Sequence, residues 1–349
     1  MIEDEDLPSL LLRGAFGGSS DLRRVLTFEK MRGDLTNVFY SMEASNTDFY
    51  AHQFKPVMRF IESPVGRMLI ADEVGLGKTI EATYIWKEIQ ARQSARRLLI
   101  VCPAMLRDKW RSDLRKRFNI SGEVISARDA LEKIEDMLDR QASDSFVYIT
   151  SLEGLRPPAN FEDEGVQSVR ARFARLLDQN LASDEFAVFD HVIIDEAHYL
   201  RNPSTGNNRL GRLLREASRH LVLLTATPIQ IGSDNLYQLL RLIDPDEFYD
   251  ATLFQEMLRA NSYIVHAQRA LWQEPPDKEA VRRALKEAEG SDYFKDDPVI
   301  ERIRRYLTDG ILTTENRVEA LRLLESRSLL SQYMTRSRKR EVLETRVER

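Results

Sequence analysis

Cysteine is nearly absent from this 349-residue sequence, with Cys102 the only one. A single thiol excludes an intrachain disulfide and any zinc site built from cysteines. It sits in the apolar run Leu98 to Cys102 and reads as inert core. The five histidines are scattered without metal-ligand spacing. No apolar run approaches the ~20 residues needed to span a bilayer, so no membrane association is expected. The first residues, Met1-Ile2-Glu3-Asp4-Glu5-Asp6, are acidic where an export signal would be basic, so a cytoplasmic location is expected. Repeats and low-complexity tracts are lacking too. A net charge of −5 argues against a protein coated in basic charge, but leaves room for a local basic track. The length suits a large α/β domain with additions.

The most informative stretch runs from Met68 to Ala82. Met68 to Ala71 is a short apolar run that reads as a buried strand. A loop with Gly75 and Gly77 follows, then Lys78-Thr79, then a helical pattern through Thr83, Trp86 and Ile89. Strand, glycine loop, Lys-Thr and helix is the layout of a phosphate-binding P-loop. Glycines let the backbone approach an anion and turn its N–H groups inward. The helix start adds its positive dipole end. Lys78 would reach the β- and γ-phosphates, and the Thr79 hydroxyl would ligate Mg²⁺. The strict pattern wants glycine where Asp72 stands, so this stretch alone leaves a chance match open.

A second stretch narrows that choice. Phe189-Asp190-His191-Val192-Ile193-Ile194 reads as a buried strand ending in Asp195-Glu196. A Mg-ATP site needs one carboxylate to hold the metal, here Asp195 through its water shell. It needs a second to polarise the attacking water, here Glu196. A strand end can deliver both to the carboxyl edge of a sheet, where ligands of α/β proteins bind. With the P-loop upstream, this is read as a nucleotide site.

Ahead of the P-loop, Phe49 to Ile61 reads as an amphipathic helix. Gln53 on it could pair with an adenine edge or be an ordinary surface amide. Leu98 to Cys102 reads as a strand closed by Pro103. In the helical stretch after it, Trp110, Leu114 and Phe118 recur every four residues as a buried face. Arg107, Lys109, Arg111, Arg115, Lys116 and Arg117 make the densest basic run, suited to a phosphate backbone or to plain solvation. Phe146 to Ser151 and His220 to Leu224 are further strands with hydroxyl residues at their tips. Such alternation means βαβ units and a parallel sheet. From about residue 251 the pattern becomes helical only, with stretches at 277–286, 297–307 and about 315–334.

In this order the motifs resemble those of SNF2-like ATPases of helicase superfamily 2, most of all the bacterial RapA-like branch. Ala71 to Ala82 carries the family signature, in which Asp72 is normal. Asp195-Glu196-Ala197-His198 matches the DEAH-type acidic motif, and Leu224-Thr225-Ala226-Thr227-Pro228 the coupling motif. Ile100 to Pro103 with Trp110, Ile149-Thr150-Ser151 and His52-Gln53 match weaker ones. The tail from Thr335 to Val342 is similar to the family's connector.

The resemblance implies an α/β fold: a RecA-like P-loop NTPase lobe, a parallel sheet flanked by helices, with an added helical subdomain. It implies a translocase that uses ATP and Mg²⁺, acts on double-stranded DNA and remodels bound proteins. Gln53 would read adenine. Asp72, Gly75, Leu76, Gly77, Lys78, Thr79 and Ile80 would form the nucleotide cradle. Thr79 and Asp195 would serve Mg²⁺, with Lys78, Asp195 and Glu196 catalytic. Thr225, Ala226 and Thr227 would couple nucleotide state to DNA. Pro103, Lys109, Thr150 and Ser151 would lie along the DNA backbone.

Expected boundaries are an N-terminal segment at 1–45, the ATP-binding lobe at 46–250, a helical protrusion at 251–334 where protein partners dock, and a connector at 335–349. A second RecA-like lobe would supply an arginine finger, typically worth ~10³–10⁵ in turnover, so this chain alone is expected to hydrolyse ATP weakly. Two alternatives stand beside this reading: a nucleotide-dependent switch module that does not translocate, and an RNA-directed superfamily 2 helicase. The spelling Asp72-Glu73-Val74-Gly75-Leu76-Gly77 argues against the latter.

Overall fold

Four apolar runs supply the central strands: β1 (Arg67–Ile70), β2 (Arg97–Cys102), β5 (Phe189–Ile194) and β6 (Ser218–Leu224). Their near-continuous Leu, Ile and Val content suits strands covered on both faces. With β3 (Glu123–Val124), β4 (Phe146–Ser151) and β7 (Met334–Thr335) they form a seven-stranded sheet in the order β3-β4-β2-β5-β6-β1-β7. Every pairing is parallel. The structure, a computed structural model, describes residues 50–140, 144–183, 186–226, 232–308, 312–337 and 339. Outside them lie the 1–45 segment, Thr227 and Pro228 of the coupling motif, and the tail beyond Ser337 except Lys339.

Alternate strand residues feed two cores, as a period of two requires. On one face Met68, Ile70, Leu98, Ile100, Val222 and Leu224 meet α1 (Ala51–Glu62), α2 (Lys78–Gln93) and α3 (Arg107–Phe118) through Phe60, Trp86 and Trp110. On the other, Leu69, Leu99, Val101, Val192, Ile194 and Leu223 meet α4 (Ala127–Asp139), α6 (Val169–Gln179), α7 (Gly206–Glu216) and α8 (Gly232–Ile243). A single-turn α5 (Leu152–Leu155) follows β4.

The helices after residue 250 build a third core. Asp250 caps α9 (Ala251–Trp272) by accepting from Thr252 N and Leu253 N. Its first turns put Phe254 and Met257 into the lobe. Its later turns put Ile264, Ala267 and Leu271 against α10 (Lys278–Glu289), α11 (Pro298–Thr308) and α12 (Thr314–Ser326). One continuous helix thus belongs to both cores. Glu325 adds a clasp, with its Oε1 at 2.9 Å from Lys55 Nζ and 3.2 Å from Arg59 Nη2 on α1.

The last helix ends at Ser326, short of the expected Met334. The reason is tertiary. Asn261 Oδ1 on α9 accepts from Ser328 Oγ at 3.2 Å and Leu329 N at 2.9 Å, which turns the chain. Leu330 and Tyr333 then enter the lobe core, and β7 pairs with β1. From there a strap follows the start of the P-loop. Leu69 N donates to Tyr333 O, Ala71 N to Thr335 O and Glu73 N to Ser337 O, at 2.8, 2.8 and 3.2 Å.

Ser337 N returns a bond of 2.8 Å to Asp72 Oδ1. Asp72 is fully buried, and Glu81 from the first turn of α2 is buried beside it. Desolvation, then the Asp72 charge and a hydrogen bond to it, push the Glu81 carboxyl well above the ordinary range, against a smaller pull from Lys78. Burial beside Asp72 thus makes Glu81 hold its proton more tightly than an ordinary carboxyl does.

This acid has a pH signature. Below the ordinary carboxyl value of 4.5, Glu81 is protonated folded or unfolded, and contributes no pH dependence. Above it the unfolded chain ionises first, so stability is lost as pH rises towards the elevated folded-state value. Glu81→Gln keeps a donor and removes the titration. Its melting temperature relative to the parent should rise steadily as pH increases above the ordinary carboxyl value of 4.5. A difference that stays flat across that range contradicts the assignment.

Candidate nucleotide site

Register places the motifs together. Ile70 is level with Leu224, Leu223 with Ile194, Ile194 with Val101, and Cys102 with Ser151. The residues that follow therefore emerge at one carboxyl edge: the P-loop after β1, Thr225 after β6, Asp195-Glu196 after β5, Pro103 after β2. Parallel sheets bind ligands at this edge.

The loop from Asp72 to Gly77 turns on two glycines with φ of +90° at Gly75 and +100° at Gly77. Any Cβ at Gly77 would sit 2.5 Å from Gln53 Nε2, so only glycine fits. Gln53 Nε2 donates to Leu76 O at 3.0 Å, and His52 Nε2 lies 3.2 Å from the same oxygen. Helix α1 thereby holds the loop by its carbonyl. Gln53 is buried, not an ordinary surface amide, and its Oε1 has no hydrogen-bond partner among the described residues. Lys78 Nζ donates to Asp72 O at 2.9 Å. Lys78, Thr79 and Ile80 form the half-buried first turn of α2, with Ile80 against Gly77. Asp72 itself is buried, and its Oδ1 accepts from Ser337 N.

At the end of β5 both acids are half-buried. Trp110 Nε1 donates to Asp195 Oδ2 at 2.9 Å, and Glu196 N to Asp195 Oδ1 at 2.8 Å. These bonds fix the carboxylate while leaving it lone pairs. Glu196 has φ of +53°, a left-handed conformation that costs a non-glycine residue about 1–2 kcal/mol. Its Oε2 lies 3.1 Å from His198 Nδ1. Strain of this kind collects where a side chain must be aimed. Cys102, one residue below the edge, is buried, and that burial, with Asp195 nearby, raises its thiol to about 12. It stays an inert thiol, as expected.

These groups fit a magnesium nucleotide. A glycine cradle at a helix start, a lysine and unspent N–H groups suit a phosphate chain. Mg²⁺ is commonly held by one or two carboxylates plus substrate phosphates, and Asp195 with the Thr79 hydroxyl offers that set. The unpartnered Gln53 oxygen offers an acceptor beside the loop.

The coupling and DNA-side residues divide. Thr225 is buried and its N–H donates to Ile70 O at 3.0 Å, tying β6 to the start of the P-loop. Ala226 follows half-buried, and Thr227 lies outside the described residues. Pro103 is buried and begins a 3₁₀ turn into α3. Lys109 is exposed. Ser151 caps α5 by accepting from Gly154 N at 3.1 Å and stays half-exposed. Thr150, however, is only 1% exposed, because it sits on a covered strand next to β2, so its side chain does not face a ligand surface. Trp110, matched to a weaker family motif but given no role there, also enters the site. Its helical spacing marked it as core, and nothing local announces the indole N–H reaching Asp195.

The SNF2-related domain matches residues 52–348. The RNA polymerase-associated protein RapA of Stutzerimonas stutzeri is 31% identical over 254 residues, 72% of this chain and 24% of that protein. RapA of Photobacterium profundum is 32% identical over 279 residues, 78% of this chain and 24% of that one. The chain thus spans about a quarter of the length of these relatives. A solved Sulfolobus solfataricus SWI2/SNF2 ATPase core in complex with dsDNA aligns with a TM-score of 0.41 and 14% identity, over 83% of this chain and 65% of that one. Since the family match runs from the helix before the P-loop through the strap that returns to it, the chain belongs to the SNF2-related family.

Proposed function

We propose that this SNF2-family motor domain binds Mg-ATP at the P-loop edge and hydrolyses it to move on double-stranded DNA, remodelling protein–DNA complexes. The observation that carries the reading is the shared edge: the glycine cradle, Lys78 and the indole-held Asp195 all emerge at the same end of one parallel sheet. Gln53 Oε1 would accept from the adenine amino group. Lys78 and the N–H groups at the start of α2 would neutralise the phosphates, and Thr79 and Asp195 would hold Mg²⁺. When bound, Mg²⁺ supplies charge neutralisation at the phosphoryl oxygens. Glu196 would take a proton from the attacking water. Thr225 and its neighbours Ala226 and Thr227 would pass the nucleotide state to the DNA side.

The DNA track proposed here runs along Ser151 and the exposed face of α3, with Pro103 buried behind it. Arg111 is spoken for by Asp108 at 2.8 Å, and Arg117 lies 3.6 Å from Asp113. Lys109, Arg115 and Lys116 are exposed and make no ion pair with described residues, which leaves them for phosphates. The proposed partners are a second RecA-like lobe carrying an arginine finger and, through residues 251–334, a protein complex on DNA. The name of these relatives, RNA polymerase-associated protein, points to RNA polymerase as that complex. We place this work in the cytoplasm; no described helix is long and apolar enough to cross a membrane.

ATP turnover with and without duplex DNA, at low and high salt, tests the reading. Glu196→Gln should keep ATP binding and lose about 10²–10⁴ in turnover, the usual contribution of a general base. Turnover that survives this change contradicts the assignment. Trp110→Phe keeps the aromatic core but drops the bond to Asp195. It should raise the Mg²⁺ concentration needed for half-maximal turnover by about tenfold or more, as loss of a partner to a metal ligand does. An unchanged Mg²⁺ requirement would leave Trp110 a packing residue only. Replacing Lys109, Arg115 and Lys116 together by Ala should weaken duplex binding and flatten its dependence on log salt by about two to three units of slope. Binding and slope like those of the parent would move the DNA track elsewhere.

A further inference from the structure

The strap that leaves β7 does more than close the sheet. Ser337 exchanges two bonds with the P-loop, donating to Asp72 Oδ1 and accepting from Glu73 N. Lys339 N then donates to Glu73 Oε2 at 3.1 Å, across 266 residues of sequence. The strap backbone is thus pinned to the loop up to the residue whose ammonium ends over it. Lys339 Cε and Nζ lie 3.7 and 3.8 Å from the point a Cβ would occupy on Gly75. Gly75 is the exposed glycine of the loop, with φ of +90°.

We infer that Lys339 is a phosphate-binding residue of the nucleotide site, a second ammonium set against the P-loop from the opposite end of the chain. The inference rests on the nucleotide reading of the P-loop given above. Its physical ground is charge. Lys78 brings one ammonium from α2, and Lys339 brings a second to the same short loop, where like charges repel. Lys339 is exposed and makes no ion pair with a described residue; Glu73 Oε2 is engaged by its main-chain N–H. A polyanionic phosphate chain beside Gly75 would relieve the repulsion and take charge-assisted bonds from both lysines. Because the strap continues from α12 through β7, the same contact links the phosphates to the helical subdomain.

Equilibrium binding of ATP to the full 349-residue chain, by calorimetry with Mg²⁺ present, tests this. Lys339→Met keeps the aliphatic stem and removes only the charge. It should weaken ATP binding about five- to tenfold, in the range of a partly exposed charge-assisted contact, and lower the salt dependence of binding. Lys339→Arg should restore most of the affinity, and Lys339→Glu should weaken it further than Met does. The proposal is overturned if Lys339→Met binds ATP as the parent does or more tightly, or if Lys339→Arg is as weak as Lys339→Met. Lys78→Ala, measured alongside, separates the two claims. Strong loss of ATP binding there upholds the P-loop reading whatever Lys339 does, and parent-like binding removes that reading and the Lys339 proposal with it.

Discussion

Everything in this molecule depends on parallel register. Antiparallel strands would scatter the strand ends between two edges; six parallel pairings put every carboxyl end on one. The hydrophobic pattern enforces that register, since a slip of one residue would exchange the sets that feed the two faces and their separate cores. Leu69 and Leu223 must face one helix layer while Ile70 and Leu224 face the other. Once they do, the loop after β1 and the acids after β5 lie at one edge without further instruction. The site is a by-product of how the core is packed.

Two contacts then turn an edge into a defined site, and both come from far away in sequence. The indole of Trp110 holds Asp195 from α3, and the amide of Gln53 holds the P-loop carbonyl of Leu76 from α1. Each comes from a helix whose other residues pack the same core, so the polar contact is fixed by apolar burial. The buried Asp72 and Glu81 add a third layer. They sit under the loop and receive the strap, which makes the loop a junction between the first strand of the lobe and the last described segment of the chain.

Much of this was legible in the sequence because it is local. The Met68 to Ala82 stretch carries strand, glycines, lysine and helix start within one window, and Asp195-Glu196 follows directly on an apolar strand. The helical character of the chain after about residue 251 is legible from periodicity and from the start of the 277–286 stretch at Asp277. What sequence did not disclose is non-local. The two-residue strands β3 and β7 are too short to carry a period. The periodicity of the last helix runs on towards Met334 because nothing in its own residues records that Asn261 turns the chain at Ser328. The resemblance puts Thr150 along a DNA backbone, whereas the strand that carries it is covered. Lys339 looked like one more basic residue in a tail, and only β7 pairing with β1 brings it to the P-loop.

The central claim is that one metal–nucleotide bridges the P-loop and the end of β5. Manganese is the direct probe, since Mn²⁺ can replace Mg²⁺ in such sites and be followed by electron paramagnetic resonance. In the presence of ATP the chain should bind a single Mn²⁺ tightly. Either Thr79→Val, on the P-loop side, or Asp195→Asn, on the β5 side, should weaken that binding by about tenfold or more. If Asp195→Asn leaves Mn²⁺ binding to the ATP-bound chain unchanged, the two motifs do not share an ion, and the account of the site is wrong.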